Sequence, residues 1–340
     1  MVVESKLSIV IVNWNGGELL ERCLGSIIAH PPAFDYEIIV VDNASSDQSL
    51  NWLRSAEAKA LCSSTSFRLI ANSENLGFSK ANNQAFAASD SPLVFLLNPD
   101  TEVQPQAIDR LIADIRSAGN IGACGPRLLN TDGSLQPTVW RNPPAAWEIL
   151  LSGLKLYRLL PARLRGELLL GGHWDHARRR FVNRLSGAAL LIKREVIDQV
   201  GGLDERFFMY GEDVEWCLRI VRNGWLLLFE PEAVVIHHLS QSAIERWGQL
   251  EASRRVADGW LRYQRQTLSR PRVIVNLLAS MFVASVSLVR RSITGDSTIE
   301  LKMKLRLFGD YLKRELWFNR DESEAHKLGE KQKAPKKTPT

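Results

Sequence analysis

The sequence predicts an α/β protein with a mostly parallel central sheet flanked by helices, followed by a C-terminal helical extension. From residue 7 onward, short β-branched runs alternate with amphipathic stretches, a pattern typical of parallel strands joined by crossover helices. Apolar residues make up 45% of the 340-residue chain, which is enough for a sizeable core. This length predicts about two domains, or one large α/β unit with a tail.

Composition argues against several classes of partner and site. The chain has 43 lysines and arginines against 38 acids, and a net charge of +5 gives no reason to expect a nucleic acid partner. The cysteines form no CxxC pair, so neither a zinc site nor a disulfide framework is predicted. An acid near the N-terminus and an immediate strand-like run do not resemble a secretory signal. We therefore expect the chain to stay on the cytoplasmic side.

Four strands in the first hundred residues define the predicted sheet edge. They are expected at residues 7–12, 36–41, 67–71 and 93–97, and each ends in a polar loop. Ligands of open α/β sheets bind outside the carboxyl ends of the strands, so these four loops should converge on one crevice.

Regular structure is predicted again after a less regular stretch at residues 121–183, for which acceptor loops are one interpretation. Residues 185–192 are a candidate buried strand. Residues 212–222 form a predicted helix that ends at Asn223-Gly224.

The C-terminal third contains one long uncharged stretch, residues 273–289, with arginines on both sides. A membrane-spanning helix needs about 20 apolar residues, and serines and an asparagine dilute this stretch. A span and an ordinary core helix remain alternatives, but the pattern favours a helix in the membrane interface with basic anchors. Residues 321–340 are charged and rich in lysine and proline, which predicts a disordered tail.

Two strand-end loops offer candidate nucleotide-binding groups. The carboxylate of Asp42 could accept hydrogen bonds from a nucleobase imide or a ribose hydroxyl, although an Asx-turn that closes the loop explains it equally well. Gly77, close to Asn75 and ahead of a helix, would let the backbone approach a phosphate or base. The chain has no GxGxxG motif, which disfavours a dinucleotide-binding oxidoreductase.

The fourth strand ends in a candidate metal-binding loop. Asn98 and Asp100 are one residue apart, and their oxygens suit a hard divalent cation such as Mg²⁺ or Mn²⁺. Such a cation offsets the charge that develops on a diphosphate leaving group. The alternative is an Asn-Pro-Asp turn without a ligand.

Acids and imidazoles later in the chain complete the candidate site. Glu212 and Asp213 begin a predicted helix, whose dipole favours their ionised forms, and an ionised carboxylate can act as a general base. Capping and dipole stabilisation alone are the alternative. His237 and His238 end an apolar run, where one could bind metal or both could be structural.

The ordered set of motifs resembles the family 2 inverting glycosyltransferases of the GT-A fold, and within them the rhamnosyltransferase-type members that build bacterial surface polysaccharides. It covers about residues 7–245 and consists of SIVIVNWNG, VVDNASSD, NLGFSKANNQ, LLNPDT, LSGAALLIKRE, GGLDERFFMYGEDVEWCLR and PEAVVIHH. The resemblance implies a GT-A domain at residues 1–245. The pattern of the C-terminal third, not the resemblance, predicts a helical extension at residues 246–320, for which membrane association is the favoured alternative.

The resemblance also implies roles for individual residues. The positions that match the nucleotide-sugar-binding residues are Val12, Asn13, Asn15, Asp42, Asn75, Gly77 and Asn98. Asp100 matches the last acid of the DxD motif, and His237 resembles the C-terminal histidine that contacts metal or diphosphate. The acids of the ED motif match Glu212 and Asp213, and Asp213 corresponds to the catalytic base.

The chain departs from the family pattern at several places, among them Asn98, Asn183-Arg184 and Ser240, which stands where a glycine often follows the histidine. Asn98 replaces the first acid of the DxD motif, so Asp100 would hold the cation together with the donor diphosphate, and cation affinity without donor should be weak. Asn183-Arg184 stands where many relatives have Asp-Trp, which affects the expected identity of the acceptor.

The resulting hypothesis is an enzyme that moves a sugar from a nucleotide-sugar to a hydroxyl of a polyprenyl-linked or other cell-surface glycan. The first expectation for the donor is dTDP-L-rhamnose, with another UDP- or GDP-sugar as the alternative. A non-catalytic glycan-binding protein on the same fold would not need Asp100 and Asp213 together. A nucleotidyltransferase should have arginine or lysine in the loop at residues 13–17, which has neither. The expected location is cytoplasmic, peripheral on the inner face of the cell membrane.

Overall fold

The computed structural model describes residues 6–140, 145–238 and 241–317, so the tail predicted at 321–340 lies outside the described residues. The chain divides into two compact units. The sheet unit runs to Pro144 and continues over Leu156–Thr267, and the helical unit comprises Ala145–Lys155 and the chain from Leu268 onward. The sheet unit ends at Thr267, and the boundary at residue 245 that the sequence predicts for the GT-A domain stays a prediction.

The described strands form one sheet in the sheet unit. They are β1 (Lys6–Asn13), β2 (Asp35–Asp42), β3 (Ser66–Ala71), β4 (Leu93–Leu97), β5 (Thr101–Val103), β6 (Ile121–Leu129), β7 (Arg180–Val182), β8 (Ala189–Lys193) and β9 (Leu226–His237). The order is β3-β2-β1-β4-β8-β6-β9-β5, with β7 paired to β9. The first four strands of that order are parallel, as predicted, and β8 joins them antiparallel to β4. The predicted strand at 185–192 begins later, at Ala189.

Helices cover the sheet and build the second unit. They are α1 (Gly17–Ala29), α2 (Ser49–Arg54), α3 (Ala56–Leu61), α4 (Phe78–Ala87), α5 (Ala107–Arg116), α6 (Ala146–Gly153), α7 (Ala162–Leu169), α8 (Arg194–Val200), α9 (Glu212–Arg222), α10 (Gln241–Thr267), α11 (Arg270–Thr294) and α12 (Ile299–Trp317). The predicted bounds of α9 are confirmed. Helix α1 ends at Ala29, just before Pro31 and Pro32, which cannot donate a backbone hydrogen bond.

The core lies on both faces of the sheet, because successive side chains of a strand point to opposite faces. In β1, Ile9 and Ile11 pack with residues of α1 and α5, while Val10 and Val12 pack with residues of α4 and α9. Burial on both faces explains why the parallel strands are continuous apolar runs in the sequence. Polar loops follow the carboxyl ends of β1 to β4.

The helical unit consists, among the described residues, of α6, α11 and α12, and α11 packs against each of the other two. Helix α11 includes the uncharged stretch predicted at 273–289. It is long and apolar enough to cross a membrane by length and composition, and 28% of its most apolar window is buried in the protein.

Candidate active site

The carboxyl ends of β1 and β2 form one polar wall of the site. Asn13 lies opposite Asp42 in the parallel register, and its side-chain Nδ2 donates to Asp42 Oδ2 (2.9 Å). Asp42 also accepts from the Ser45 backbone N–H (3.0 Å) and the Ser45 hydroxyl (2.6 Å). The Asp42 carboxylate therefore closes its own loop by hydrogen bonds to Ser45, three residues on, and both of its oxygens have partners there.

Asn15 connects the loops after β1 and β2. It has a positive φ of 55°, and its Oδ1 accepts from the Ser46 N–H (2.6 Å) and the Asp47 N–H (3.3 Å). The side chain of Val12 is buried in the core. The structure thus brings Val12, Asn15 and the Asn13–Asp42 pair to one strand edge, and their roles toward a nucleotide stay predictions.

The segment before α4 connects this wall to the loop before α9. Asn43 Nδ2 donates to Asn75 Oδ1 (2.9 Å), and Asn75 Oδ1 also accepts from the Gly77 N–H (2.9 Å). Gly77 has a φ of +84°, and a Cβ there would lie 2.7 Å from the Phe208 carbonyl oxygen. The Phe78 N–H donates to that same oxygen (2.8 Å). Only glycine fits the backbone shape and the space at residue 77.

Pairing of β5 with β9 brings Asp100 to the C-terminal histidines. Thr101 lies opposite His237, and the His238 N–H donates to the Asp100 carbonyl oxygen (2.9 Å). His237 Nε2 lies 3.3 Å from Asp100 Oδ1, whereas His238 Nε2 lies 2.7 Å from Glu102 Oε1. The geometry therefore brings His237, rather than His238, to the Asp100 carboxylate.

Gln136 fixes the orientation of the His237 ring. Its Nε2 donates to the His237 carbonyl oxygen (2.6 Å), so its Oε1 is the atom 3.0 Å from His237 Nδ1. An amide oxygen can only accept, so Nδ1 carries a hydrogen and Nε2 is the nitrogen that faces Asp100. A lone pair on Nε2 and a carboxylate oxygen repel each other unless a proton or a metal cation lies between them.

The residues at this place fit a divalent cation. Asn98 Oδ1 and Asp100 Oδ1 are buried without a hydrogen-bond partner in the described part of the chain, because the His237 contact lacks hydrogen-bond geometry. Residues 6–140, 145–238 and 241–317 contain no cluster of three His, Cys, Asp or Glu side chains placed to hold a metal. Mg²⁺ is commonly held by one or two carboxylates plus substrate phosphates, so a small protein donor set is consistent with it.

Asp213 lies at the start of α9, as predicted. Its Oδ1 accepts from the Val214 N–H (2.8 Å), and its Oδ2 accepts from the Gly187 N–H (3.2 Å). The next residue, Ala188, accepts at its carbonyl oxygen from the Asn98 N–H (2.9 Å). The short segment Gly187-Ala188 therefore contacts the candidate base on one side and the candidate metal loop on the other.

Glu212 differs from its neighbour. It is buried, and its Oε2 has no hydrogen-bond partner among the described residues. Burial, and then the nearby charge of Asp213, raise the pKa of Glu212. The expectation that the helix dipole favours an ionised form is therefore wrong for Glu212, because the loss of hydration outweighs the dipole.

Tyr210 belongs to the loop before α9 and is close enough to Glu212 and Asp100 to sense their charges. Burial raises the pKa of its hydroxyl, and the charges of Glu212 and Asp100 raise it further. Its backbone has a positive φ of 71°, which is unusual for a residue other than glycine. Gly259 of α10 packs so closely that an added Cβ would meet the Tyr210 carbonyl oxygen.

Sequence reasoning missed Gln136 and Gly259. Gln136 lies in the irregular stretch at 121–183, far along the chain from His237, and no motif marks it. Gly259 stands inside a helical pattern, where glycine costs about 1 kcal/mol relative to alanine. A glycine inside a helical pattern is therefore the sequence signal that could have indicated close packing at residue 259.

Comparison with known proteins identifies the family of the chain. The family model described as Glycosyl transferase family 2 matches residues 8–173. The N-acetylglucosaminyl-diphospho-decaprenol L-rhamnosyltransferase of Mycobacterium tuberculosis is 30% identical over 262 residues, covering 69% of this chain and 77% of that protein. A low-salt glycan biosynthesis hexosyltransferase of Haloferax volcanii is 30% identical over 222 residues, covering 64% and 62%.

Solved structures show the same fold. The mannosyltransferase PcManGT of Pyrobaculum calidifontis, in complex with GDP-mannose and Mn²⁺, has a TM-score of 0.58 and 15% identity, covering 92% of this chain and 88% of that chain. GalNAc-T7 with UDP, GalNAc and Mn²⁺ has a TM-score of 0.56 and 17% identity, covering 98% and 59%. The predicted GT-A type fold is confirmed.

The family model and the relatives define a sugar-transferring enzyme. The chain belongs to glycosyl transferase family 2, which confirms the resemblance to its rhamnosyltransferase-like members.

Proposed function

We propose that this enzyme is an inverting glycosyltransferase that transfers a sugar from a nucleotide-sugar to a hydroxyl of a lipid-linked glycan. The observation that carries the proposal is the Gly187-Ala188 segment, whose Gly187 N–H donates to Asp213 and whose Ala188 carbonyl oxygen accepts from the Asn98 N–H. Because adjacent residues hold the candidate base and the candidate diphosphate-binding loop, both groups can act on one donor sugar, as direct displacement requires.

Asp213 is the proposed general base. Its two oxygens accept backbone hydrogen bonds from Val214 and Gly187, which hold the carboxyl group in one orientation. Asp213 would take the proton from the acceptor hydroxyl as that oxygen attacks the anomeric carbon and the diphosphate leaves. A positioned base of this kind contributes about 10²- to 10⁴-fold in rate. The buried Glu212 is the preceding residue along the chain and interacts electrostatically with Asp213.

Asp100 and His237 would hold Mg²⁺ or Mn²⁺ together with the donor diphosphate. Asn98 lies in the same loop as Asp100, after β4. The cation, when bound, offsets the negative charge that develops on the departing diphosphate. Gln136 orients the His237 ring so that Nε2 faces this place. The buried oxygens of Asn98 and Asp100 that lack partners support this assignment.

The first proposed donor is dTDP-L-rhamnose. Support comes from the mycobacterial relative, whose name specifies L-rhamnose transfer. The polar wall of Asn13, Asp42, Asn43 and Asn75 would receive the nucleotide. Another UDP- or GDP-sugar is the alternative, because these amides and carboxylates do not distinguish among thymine, uracil and guanine imides.

The proposed acceptor is a polyprenyl-linked glycan at the cytoplasmic face of the cell membrane. The same relative acts on a diphospho-decaprenol acceptor by its name. Helix α11 supports a peripheral location, since apolar residues on it such as Phe282, Val289 and Ile293 are exposed. Arginines stand near both ends of the helix, where they could contact anionic headgroups.

A donor panel tests the proposal. Slow hydrolysis and thermal shift would be measured with dTDP-rhamnose, UDP-glucose, UDP-galactose, UDP-GlcNAc and GDP-mannose, with Mg²⁺, Mn²⁺ or EDTA. We expect one cation-dependent donor, and then stereochemical inversion when its sugar moves to a polyprenyl-diphosphate glycan. Cation-independent binding, or a product that keeps the anomeric configuration, would contradict the proposal. Absence of binding to every donor would favour the non-catalytic alternative.

A further inference from the structure

The sheet unit contains a short surface segment in which exposed leucines alternate with arginines. We call residues 156–165 the leucine-arginine segment; it comprises a 3-10 helix over Leu156–Leu159 and the first turns of α7. The side chain of Leu159 is 82% exposed, and those of Leu156 and Leu164 are each 44% exposed. The cations in the segment are Arg158, Arg163 and Arg165, and the sequence has no acid between Glu148 and Glu167.

The segment is held to the sheet unit by other side chains, so the leucines are displayed by a fixed backbone. The Tyr157 ring packs on the His173 ring, with centroids 4.1 Å apart. Gly166 is buried, and a Cβ there would lie 3.1 Å from the His173 carbonyl oxygen. Glu167 is ion-paired with Arg180 (3.0 Å). Folding of the unit thus positions the segment without covering its leucines.

The arginines have no counter-charge of their own. Within the described part of the chain, Arg158, Arg163 and Arg165 form no ion pair. Exposed leucines beside unpaired cations are the composition that binds the interface of an anionic membrane, where aliphatic groups enter the acyl boundary and cations contact the headgroups. A second copy of the chain is a poor occupant, because two identical segments would bring like charges together.

We propose that the leucine-arginine segment is a lipid-contacting surface of the sheet unit that binds anionic phospholipid independently of α11. This rests on the proposed function in one respect, since a polyprenyl-linked acceptor would be delivered from that lipid surface. The proposal adds a membrane contact within the unit that contains the active site.

Vesicle co-sedimentation of the full chain tests it, with phosphatidylcholine vesicles that contain or lack phosphatidylglycerol. The first variant changes Arg158, Arg163 and Arg165 to glutamine. A basic residue near an anionic surface is worth about fivefold in partitioning, so on the order of 10²-fold weaker binding is expected. The matched control is Arg22→Gln, Arg54→Gln and Lys59→Gln, which removes the same charge elsewhere on the sheet unit. Equal binding by this variant and the control would overturn the proposal.

A leucine variant tests whether leucine side chains enter the membrane, or whether the arginines alone attract the anionic surface. Leu159→Ser changes a side chain that is already exposed, so folding should be unaffected, and we expect about tenfold weaker binding to anionic vesicles. Leu250→Ser, at a position 43% exposed on α10, is the control. Unchanged binding by Leu159→Ser would contradict insertion.

A third set of variants tests whether the leucine-arginine segment binds lipid without the help of α11. Phe282→Ser with Val289→Ser weakens the α11 face, and the residual binding should fall again when Leu159→Ser is added. If the α11 variant alone removes all binding, the segment does not act independently. A change of oligomeric state by the segment variants, seen in light scattering, would assign the surface to self-association instead. Donor thermal shifts, measured in parallel without lipid, report on the proposed function separately.

Discussion

The two sides of the site differ in how completely their polar groups are satisfied. On the nucleotide side, the oxygens of Asp42 and the side chains of Asn13 and Asn43 have hydrogen-bond partners within the protein. On the diphosphate side, Asn98 Oδ1 and Asp100 Oδ1 are buried without hydrogen-bond partners in the described residues. A buried polar atom without a partner is costly, so such atoms point to the side where a ligand supplies the missing interactions.

The difference predicts unequal effects of mutation. Changes on the satisfied side should alter shape and stability, whereas changes on the unsatisfied side should alter chemistry with little loss of folding.

Asp213→Asn should have the largest effect. The amide keeps the shape but cannot accept a proton, so kcat should fall by about 10²- to 10⁴-fold while donor binding persists. Turnover and donor thermal shift are the measurements, and Asp198→Asn, an exposed acid on α8, is the control. Near-normal turnover in Asp213→Asn would remove Asp213 as the base.

Asp100→Asn should come next. Loss of this carboxylate should weaken cation-dependent donor binding and lower turnover by about 10²- to 10³-fold, because the leaving diphosphate loses electrostatic help. Donor titrations with Mn²⁺ and with EDTA check this. Identical cation dependence in the variant and the parent enzyme would contradict a metal site at Asp100.

Gln136→Ala should reduce the apparent affinity for the cation by about 10- to 100-fold, the usual range for loss of a partner that orients a metal-binding histidine. Titration of activity with Mn²⁺ at saturating donor measures it. Gln104→Ala is the control, since that side chain contacts the Glu102 carbonyl and not His237. If added Mn²⁺ does not restore activity, Gln136 acts in some way other than by orienting His237.

Comparison of particular residues shows what the sequence could predict. The parallel strands and α9 follow from continuous apolar runs and a 3.6-residue period, and loops at strand ends follow from the polarity that interrupts those runs. Asp100, His237 and Asp213 were proposed because a motif carries each of them. The contact between Asp100 and His237, however, depends on the antiparallel pairing of β5 with β9, which joins strands far apart in the chain.

Other features could not be predicted because they depend on tertiary packing. The raised pKa of Glu212 results from burial, which a local argument from the helix dipole does not contain. Gln136 reaches the His237 ring only through the fold. The contact of α10 with the loop before α9 likewise needs the structure, since the resemblance ended at about residue 245.

That contact of α10 gives the next prediction. Gly259→Ala places a methyl group against the Tyr210 carbonyl, so the loop before α9 should shift and move Asp213 at the start of that helix, and kcat should fall about tenfold with little change in donor affinity. Gly25→Ala, in α1 with open space around it, is the matched control and should retain activity. A variant with unchanged kcat would show that the loop accommodates the methyl group without moving Asp213.

The smallest effect should be on the pH dependence of stability. The folded-state pKa of Glu212 is raised above its unfolded value, so between those two values the folded state binds the extra proton. Stability should therefore fall as pH rises through that window, by at most about 1.4 kcal/mol for each pH unit. Glu212→Gln stays neutral and should flatten this fall. Denaturant unfolding from pH 4 to 9 measures it, and an equally steep fall in the variant would show that other groups control the titration.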